Sequence, residues 1–175
     1  AMGAATLLTY LFIYTPMKRV STFNTVIGAV SGALPPLIGW AGGGQSLLSF
    51  GALFLFLLLF LWQMPHFAAI NWMYREEYAK GGFKMWSNDD ESGAKTARIA
   101  VFFSVVILLF GLLFPLLTPV LSWWGSIPCG GLGALILWLA LMLRHSGERC
   151  DARRLFFYTL LYLPLMMIAA YVAWR

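Results

Sequence analysis

Long apolar runs dominate the chain and constrain its fold more than any other feature. A helix that crosses the hydrocarbon core of a bilayer needs about 20 mainly apolar residues. Five stretches of this kind follow one another: Asn24 to Ala41, Ser49 to Tyr74, Thr96 to Leu121, Trp124 to Arg144 and Arg154 to Trp174. A shorter apolar stretch, residues 1–14, precedes them and resembles half a span. Only 11% of the residues are charged, against about 25% in a soluble globular domain. We therefore predict an all-α, polytopic membrane helix bundle.

Charged residues are confined to alternate links between these stretches. Lys18-Arg19, residues 75–98 and residues 144–154 carry eleven of the twelve Lys and Arg residues and all seven Asp and Glu residues. Because basic residues are retained on the cytoplasmic side of a membrane, we expect these links to face the cytoplasm, or the matrix of a mitochondrion. The same asymmetry accounts for the net charge of +5, so no nucleic-acid partner is expected. The acidic residues either mark a polar active site on that face or reflect a lack of room in the short opposite links.

Two polar side chains interrupt the second complete span. Gln63 and His66 lie within the sequence Trp62-Gln63-Met64-Pro65-His66. Residues three apart are neighbours on a helix surface, so Gln63 and His66 are predicted to share a face. Counting from Arg75 at about 1.5 Å per residue, His66 lies roughly 13 Å inside the membrane edge. The imidazole either forms a hydrogen bond between helices or takes part in chemistry, as a metal ligand or beside a cation.

Two of the charged links carry groups that suit a phosphorylated ligand. In the link that contains Glu76 and Glu77, carboxylates at a membrane edge can hold Mg²⁺, which in turn binds phosphate oxygens. Arg75 and Lys80 can neutralise the same anion. Lys18 and Arg19 either bind the same ligand or only anchor the topology. A charged link is also often simply solvated. We expect the loops that carry Lys18 and Glu77 to meet beneath one pocket, with His66 above it.

Four stretches, in this order, resemble the haem-farnesylating branch of the UbiA family of intramembrane prenyltransferases. They are YTPMKR with NT (Tyr14 to Thr25), GAVSGALPPLIGW (Gly28 to Trp40), LWQMPHFAAINW (Leu61 to Trp72) and REEYAKGGFKM (Arg75 to Met85). WQMPHF discriminates best, because other branches share the Tyr-x-x-x-Lys step and the acidic loop but differ there. The remaining helices match mainly in spacing and hydrophobicity.

The resemblance implies a nine-helix bundle with a central cavity open toward the charged face. Family members bind a prenyl diphosphate through Mg²⁺ held by two acidic motifs, and only the second is present here. Residues 1–175 are therefore expected to be the C-terminal part of a single membrane-embedded prenyltransferase domain, about four helices short and inactive alone.

The reaction implied by the resemblance is transfer of farnesyl from farnesyl diphosphate to a vinyl group of haem b, giving haem o. The implied catalytic residues are Glu77, Glu76, Lys18 and His66. Glu77 would be the metal-site residue, binding Mg²⁺ that also holds the diphosphate, although the family usually has Asp there. The implied substrate-binding residues are Tyr14, Arg19, Asn24, Trp62, Gln63, Arg75, Tyr78 and Lys80.

The resemblance also implies a location and partners. The membrane would be the mitochondrial inner membrane or a bacterial plasma membrane, and partners would include haem a synthase or cytochrome oxidase assembly proteins. Two alternatives stay open from the sequence. One is prenyl transfer to a quinone or another aromatic acceptor, and the other is a transporter or structural membrane subunit, in which broken helices and buried polar groups also occur.

Overall fold

The protein is helical along its length. The structure, a computed structural model, describes residues 2–175, the side chains of Met2, Ala5 and Thr9 excepted, and no strand forms in that part of the chain. The helices are α1 (Met2–Leu8), α2 (Thr15–Met17), α3 (Asn24–Ala33), α4 (Pro35–Gly42), α5 (Phe50–Met73), α6 (Arg75–Lys80), α7 (Ala94–Leu117), α8 (Ser126–Ser146) and α9 (Arg149–Ala173). A π-helical segment, Thr9–Tyr14, joins α1 to α2, and a 3₁₀ turn, Trp123–Gly125, precedes α8.

Five helical stretches are long and apolar enough to cross a membrane, as predicted. They are formed by α3 with α4, then by α5, by α7, by α8 with its preceding turn, and by α9. The first of them is broken at Leu34, directly before Pro35-Pro36. The break follows from the two prolines, because a proline has no backbone N–H to continue the helical hydrogen bonds. The chain is an integral membrane protein.

Two helix ends differ from the sequence prediction by more than two residues. α7 ends at Leu117, whereas the apolar stretch continued to Leu121. The cause is Thr118, which precedes Pro119 and is extended, with φ −128° and ψ 152°, since a residue before proline avoids the helical region. α9 begins at Arg149 and not at Arg154. Its first turn is polar, and Asp151 there is favoured by the helix dipole.

Helices α7 and α8 pack through small residues. A Cβ atom on Gly111 of α7 would lie 2.6 Å from the carbonyl oxygen of Cys129, and one on Gly133 of α8 would lie 2.9 Å from Cα of Leu108. Small residues let helix backbones approach closely in a membrane. On the other side of α7, Phe54 of α5 is 1% exposed and stacks on Phe110 at 5.5 Å between ring centroids. Helix α5 in turn packs against α3 and α9.

The charged links lie together at one end of the bundle. The backbone N–H of Lys84 donates to the carbonyl of Lys18 at 2.8 Å. The indole N–H of Trp72, near the end of α5, donates to the carbonyl of Gly147, between α8 and α9, at 2.9 Å. These bonds connect all three charged links, so we call this the charged end.

The uncharged links and the end of the chain lie together at the opposite end. The backbone N–H of Ser122 donates to the carbonyl of Ala173 at 2.7 Å, and that of Arg175 donates to the carbonyl of Val120 at 3.0 Å. The rings of Trp40 and Trp174 pack at 5.9 Å between centroids. The two ends of the bundle are thus chemically distinct.

Candidate functional site

Asn24 ties the basic loop to the loop that follows α6. Its side chain is 1% exposed, and its Nδ2 donates to the carbonyls of Ser21 at 2.6 Å and Lys84 at 2.8 Å. Together with the backbone bond between Lys84 and Lys18, these contacts join the two loops as expected. Both amide protons of Asn24 are used, so in this structure Asn24 positions the loops.

A cavity of about 480 Å³ opens beside the basic loop. It lies between the N-terminal helical segment, α3 and α5, and its larger lining side chains are Leu7, Tyr10, Tyr14, Ile38, Gln63 and Phe67. We call it the Tyr14 cavity. The ammonium of Lys18 lies 4.4 Å from the ring centroid of Tyr14 and 5.9 Å from that of Tyr10. A cation held on aromatic rings therefore adjoins a mostly apolar cavity.

Gln63 is held firmly in the wall of the Tyr14 cavity. Its Nε2 donates to the carbonyls of Ala29 at 3.2 Å and Leu59 at 3.0 Å. Its Oε1 lies directly against Gly32, at the place that a Cβ atom would occupy. Gln63 therefore faces α3, and Gly32 is required to be small because of it.

His66 faces a different neighbour, helix α9. Its Nδ1 lies 2.8 Å from Oγ1 of Thr159, and its ring stacks between those of Trp62 at 5.1 Å and Phe156 at 5.0 Å. The indole N–H of Trp62 donates to the carbonyl of Thr159 at 2.6 Å. The interhelical hydrogen bond that the sequence allowed is therefore present.

The predicted shared face of Gln63 and His66 is wrong. Three residues on a 3.6-residue helix leave about 60° between side chains. That angle is enough to direct Gln63 toward α3 and His66 toward α9.

Glu76 and Glu77 line a second hollow at the charged end. It measures about 220 Å³ and also contains Arg75, Glu148 and Arg149. Within residues 2–175, no hydrogen bond or ion pair engages either side chain of Glu76 and Glu77. The guanidinium of Arg75 lies 4.2 Å from the ring centroid of Trp72. Three carboxylates, those of Glu76, Glu77 and Glu148, and two cations thus share one solvent-facing hollow.

The remaining predicted residues lie around this end. Arg19 and Lys80 are exposed. Tyr78 is half-buried and packs edge-on against Phe83 at 6.3 Å. Burial, and then the neighbouring Tyr74, raise the pKa of the Tyr78 hydroxyl, so Tyr78 stays a neutral hydrogen-bond donor at physiological pH.

The single pocket predicted from the sequence does not form among residues 2–175. Lys18 adjoins the Tyr14 cavity, Glu77 lines the second hollow, and His66 lines neither. The loops are joined through their backbones, while the side chains of Lys18 and Glu77 lie at different hollows. In the described residues no group of three or more His, Cys, Asp or Glu side chains forms a metal cage. Two free carboxylates still fit Mg²⁺, which is usually held by one or two carboxylates with substrate phosphates and water.

Sequence reasoning missed the contribution of α9. Thr159 and Phe156 hold His66, and Arg149 lines the hollow of Glu77. A threonine and a phenylalanine in an apolar run give no signal, and Arg149 was read as part of a charged link.

Comparison with known proteins identifies the family of the chain. The model of the UbiA prenyltransferase family matches residues 1–163. The chain is 40% identical to the protoheme IX farnesyltransferase of Opitutus terrae over 93% of the chain. It is 39% identical to that of Solibacter usitatus over 94% of the chain, and 36% identical to the human mitochondrial protoheme IX farnesyltransferase over 96%. No solved structure gives a significant match.

The chain spans about half the length of the bacterial relatives, 55% and 56%, and 37% of the human protein. The family model nevertheless covers most of the chain. The chain therefore belongs to the UbiA prenyltransferase family.

Proposed function

We propose that the chain is the C-terminal part of a membrane enzyme that transfers the farnesyl group of farnesyl diphosphate to a vinyl group of protoheme IX, giving haem o. This is a step toward haem a for cytochrome oxidase. The observation that carries the proposal is the junction of Lys18, Asn24 and Lys84, which holds the basic loop beside the acidic helix α6. It occurs in a chain that is 40% identical to a relative named for this reaction.

The diphosphate end of the donor binds at the charged end. Lys18, Arg19, Arg75 and Lys80 supply the positive charges that neutralise it. Glu77, with Glu76 beside it, would hold Mg²⁺, which would withdraw charge from the leaving diphosphate. The unpaired carboxylates of these residues support this role, since they are available to a ligand. Tyr78 serves as a neutral donor beside them.

The prenyl end of the donor extends into the Tyr14 cavity. Its apolar lining and the rings of Tyr10 and Tyr14 exclude water from the reacting carbon. The bond between this carbon and the diphosphate oxygen breaks, and the electron pair leaves with the diphosphate. The vinyl group of haem supplies the electron pair of the new carbon–carbon bond. Water then adds to the resulting cation and loses a proton.

The acceptor approaches from the side of α9. His66, stacked between Trp62 and Phe156, is the polar group that faces this side of α5. Gln63, held by Ala29 and Leu59, separates the acceptor side from the Tyr14 cavity. The two substrates thus reach the reaction from opposite sides of one helix.

The whole protein would work in the mitochondrial inner membrane or a bacterial plasma membrane. The distribution of Lys and Arg supports a matrix or cytoplasmic location for the charged end. Haem a synthase or cytochrome oxidase assembly proteins are the expected partners, because haem o is hydrophobic and is passed on within the membrane.

The test uses the full-length protein in membranes with haem b, farnesyl diphosphate and Mg²⁺. We expect a farnesylated haem, identified by mass, and a loss of this product with Lys18→Ala. A quinone or aromatic acid supplied in parallel serves as a competing acceptor. Farnesylation of that acceptor in place of haem, or no farnesylated product at all, would overturn the proposal.

A further inference from the structure

A furrow between α5 and α9 runs inward from the charged end. It encloses about 540 Å³, and its lining residues are Met73, Tyr74, Arg149, Cys150, Arg153, Phe156 and Phe157. We propose that this α5–α9 furrow binds a planar tetrapyrrole dicarboxylate, with its carboxylates on Arg149 and Arg153 and its central iron reached by Nε2 of His66. This inference rests on the proposed function, in which haem b is the acceptor.

Two arginines that form no ion pair within residues 2–175 make up the outer part of the furrow, and Arg149 also lines the hollow of Glu76 and Glu77. Arg149 and Arg153 are four residues apart and therefore lie on one face of α9. Their guanidinium groups lie over aromatic rings, Arg149 at 5.8 Å from Tyr74 and Arg153 at 5.5 Å from Phe157. In contrast, Arg154 is bound to Asp151 at 2.7 Å. No other ion pair involves α9 in residues 2–175, so both furrow arginines are available to an anionic ligand.

The inner part of the furrow suits a flat apolar molecule. Met73 and Phe156 are half-buried, and Phe157 is 53% exposed. Aromatic side chains stack favourably on extended ring systems. A ligand that fits both parts has charges at one edge and an aromatic body.

The hydrogen bonds of Thr159 determine which nitrogen of His66 is free. The hydroxyl of Thr159 has one proton, and it donates that proton to the carbonyl of Phe156 at 2.6 Å. The same oxygen lies 2.8 Å from Nδ1 of His66, so Nδ1 must carry the proton in that bond. In the neutral imidazole, Nε2 is then unprotonated and is an electron-pair donor.

Nε2 is also accessible. Within residues 2–175 it has no protein partner, and it is not among the buried polar atoms that lack one. An imidazole whose Nδ1–H is held by an oxygen is the arrangement in which histidine ligates a metal through Nε2.

His66 is not among the residues that line the furrow, and its distance from the basic end of the furrow favours a tetrapyrrole over an anionic phospholipid. His66 lies seven residues before Met73 on α5, which is two helical turns and roughly 10 Å. The separation between the basic end of the furrow and the imidazole is thus about the distance from the centre of a tetrapyrrole to the carboxylate of one of its side chains. A phospholipid headgroup would use the arginines but offers nothing to an unprotonated imidazole.

The first test compares two ligands that differ only at the carboxylates. Full-length protein in nanodiscs is titrated with ferric haem b and with its dimethyl ester, and binding is followed by the Soret band. The double variant Arg149→Ala/Arg153→Ala should bind haem b at least about tenfold more weakly, as expected for two lost charge-assisted hydrogen bonds. It should bind the ester as the wild type does. The double variant Lys95→Ala/Arg98→Ala, an equal charge change at two exposed positions of α7, should alter neither affinity.

Equal affinity of the wild type for haem b and the ester would overturn the proposal. So would a defect of the double variant that depends on the anionic phospholipid content of the nanodisc and not on the haem carboxylates.

The second test addresses the iron. The wild-type complex should show a low-spin Soret band that is lost with His66→Ala. Thr159→Val removes the oxygen that holds Nδ1–H and should give a mixture of spin states, whereas Thr159→Ser should restore the wild-type spectrum. A spectrum that is unchanged in His66→Ala, or a Thr159→Ser spectrum that matches Thr159→Val, would contradict this assignment.

The two proposals fail in different ways. Carboxylate-dependent binding without farnesyl transfer would leave the furrow as a haem site and refute the proposed reaction. Farnesyl transfer to haem with an unchanged KM for haem in the double arginine variant would refute the furrow and leave the reaction.

Discussion

The side-chain amide of Asn24 donates a hydrogen bond to the backbone carbonyl of Lys84, at 2.8 Å, across 60 residues of sequence. A second bond, to Ser21 at 2.6 Å, anchors the same amide within its own loop. Asn24 is thereby the side chain that fixes the distance between Lys18 and helix α6.

Replacement of Asn24 by Ala should raise the KM for farnesyl diphosphate and leave the KM for haem unchanged. The loss of two partly buried hydrogen bonds costs about 1–2 kcal/mol and lets the basic loop move relative to Glu77. Asn24→Asp keeps the size of the side chain but has no amide protons, so it should behave like Asn24→Ala. Steady-state kinetics of the full-length enzyme with each substrate varied in turn would measure both effects. An Asn24→Asp enzyme with wild-type kinetics would show that the bonds do not position the loop.

Glu77→Gln should raise the Mg²⁺ concentration needed for half-maximal farnesyl transfer at least about tenfold. This factor corresponds to a loss of about 1.4 kcal/mol or more of binding free energy when a charged metal ligand is removed. Glu77→Asp should retain activity, because the shorter carboxylate keeps the charge. The control is Asp89→Asn, which removes an exposed acid from the neighbouring loop. The prediction would fail if Glu77→Gln and Asp89→Asn gave the same Mg²⁺ titration.

Gly111→Ala should destabilise the packing of α7 on α8. The new methyl group would meet the backbone of Cys129 at 2.6 Å, and overpacking of this kind costs about 1–3 kcal/mol. Thermal unfolding in detergent should show a lower midpoint. In α8, a Cβ atom on Gly131 meets nothing within 4 Å, so Gly131→Ala should be neutral or stabilising by up to about 1 kcal/mol. Equal midpoints for the two variants would refute the close contact.

Asp90 should make the stability of the protein sensitive to acid. Burial raises the pKa of this carboxyl group, but hydrogen bonds from the backbone and hydroxyl of Thr96, and from the amides of Lys95 and Gly93, outweigh it and lower the pKa overall. A carboxyl group whose pKa is lower in the folded state contributes stability above its unfolded pKa, and this contribution is lost as the pH falls through the folded pKa.

The measurement is thermal unfolding of the wild type and Asp90→Asn between pH 7 and pH 3. At pH 7 the variant should be less stable by about 1–3 kcal/mol, and the difference should shrink as the pH falls below about 4. Asp89→Asn, at an exposed neighbouring position, is the control. A difference between wild type and Asp90→Asn that stays constant with pH would contradict this account.

The membrane spans could be predicted because apolar length alone determines them, but their ends depended on local chemistry. At the end of α7, the apolar sequence continues to Leu121, while the helix ends at Leu117 because Thr118 precedes Pro119. At the start of α9, the polar residues from Arg149 onward form helix because Asp151 is satisfied by Ser146 and Arg154. Neither the effect of Pro119 nor the contacts of Asp151 can be read from a hydropathy pattern.

The candidate site was predicted in its residue types and its end of the bundle, but not in its shape. Gln63 and His66 point to different helices because each finds a partner, Ala29 or Thr159, that only the tertiary structure brings near. Thr159 is indistinguishable in sequence from any other residue of an apolar span. The separation of the site into three hollows likewise follows from the packing of α5 between α3 and α9.

The bonds of Ser122 with Ala173 and of Arg175 with Val120 act as a clasp on α7, α8 and α9. Because these bonds join backbone groups, they hold this end of the three helices together irrespective of the side chains that occupy it.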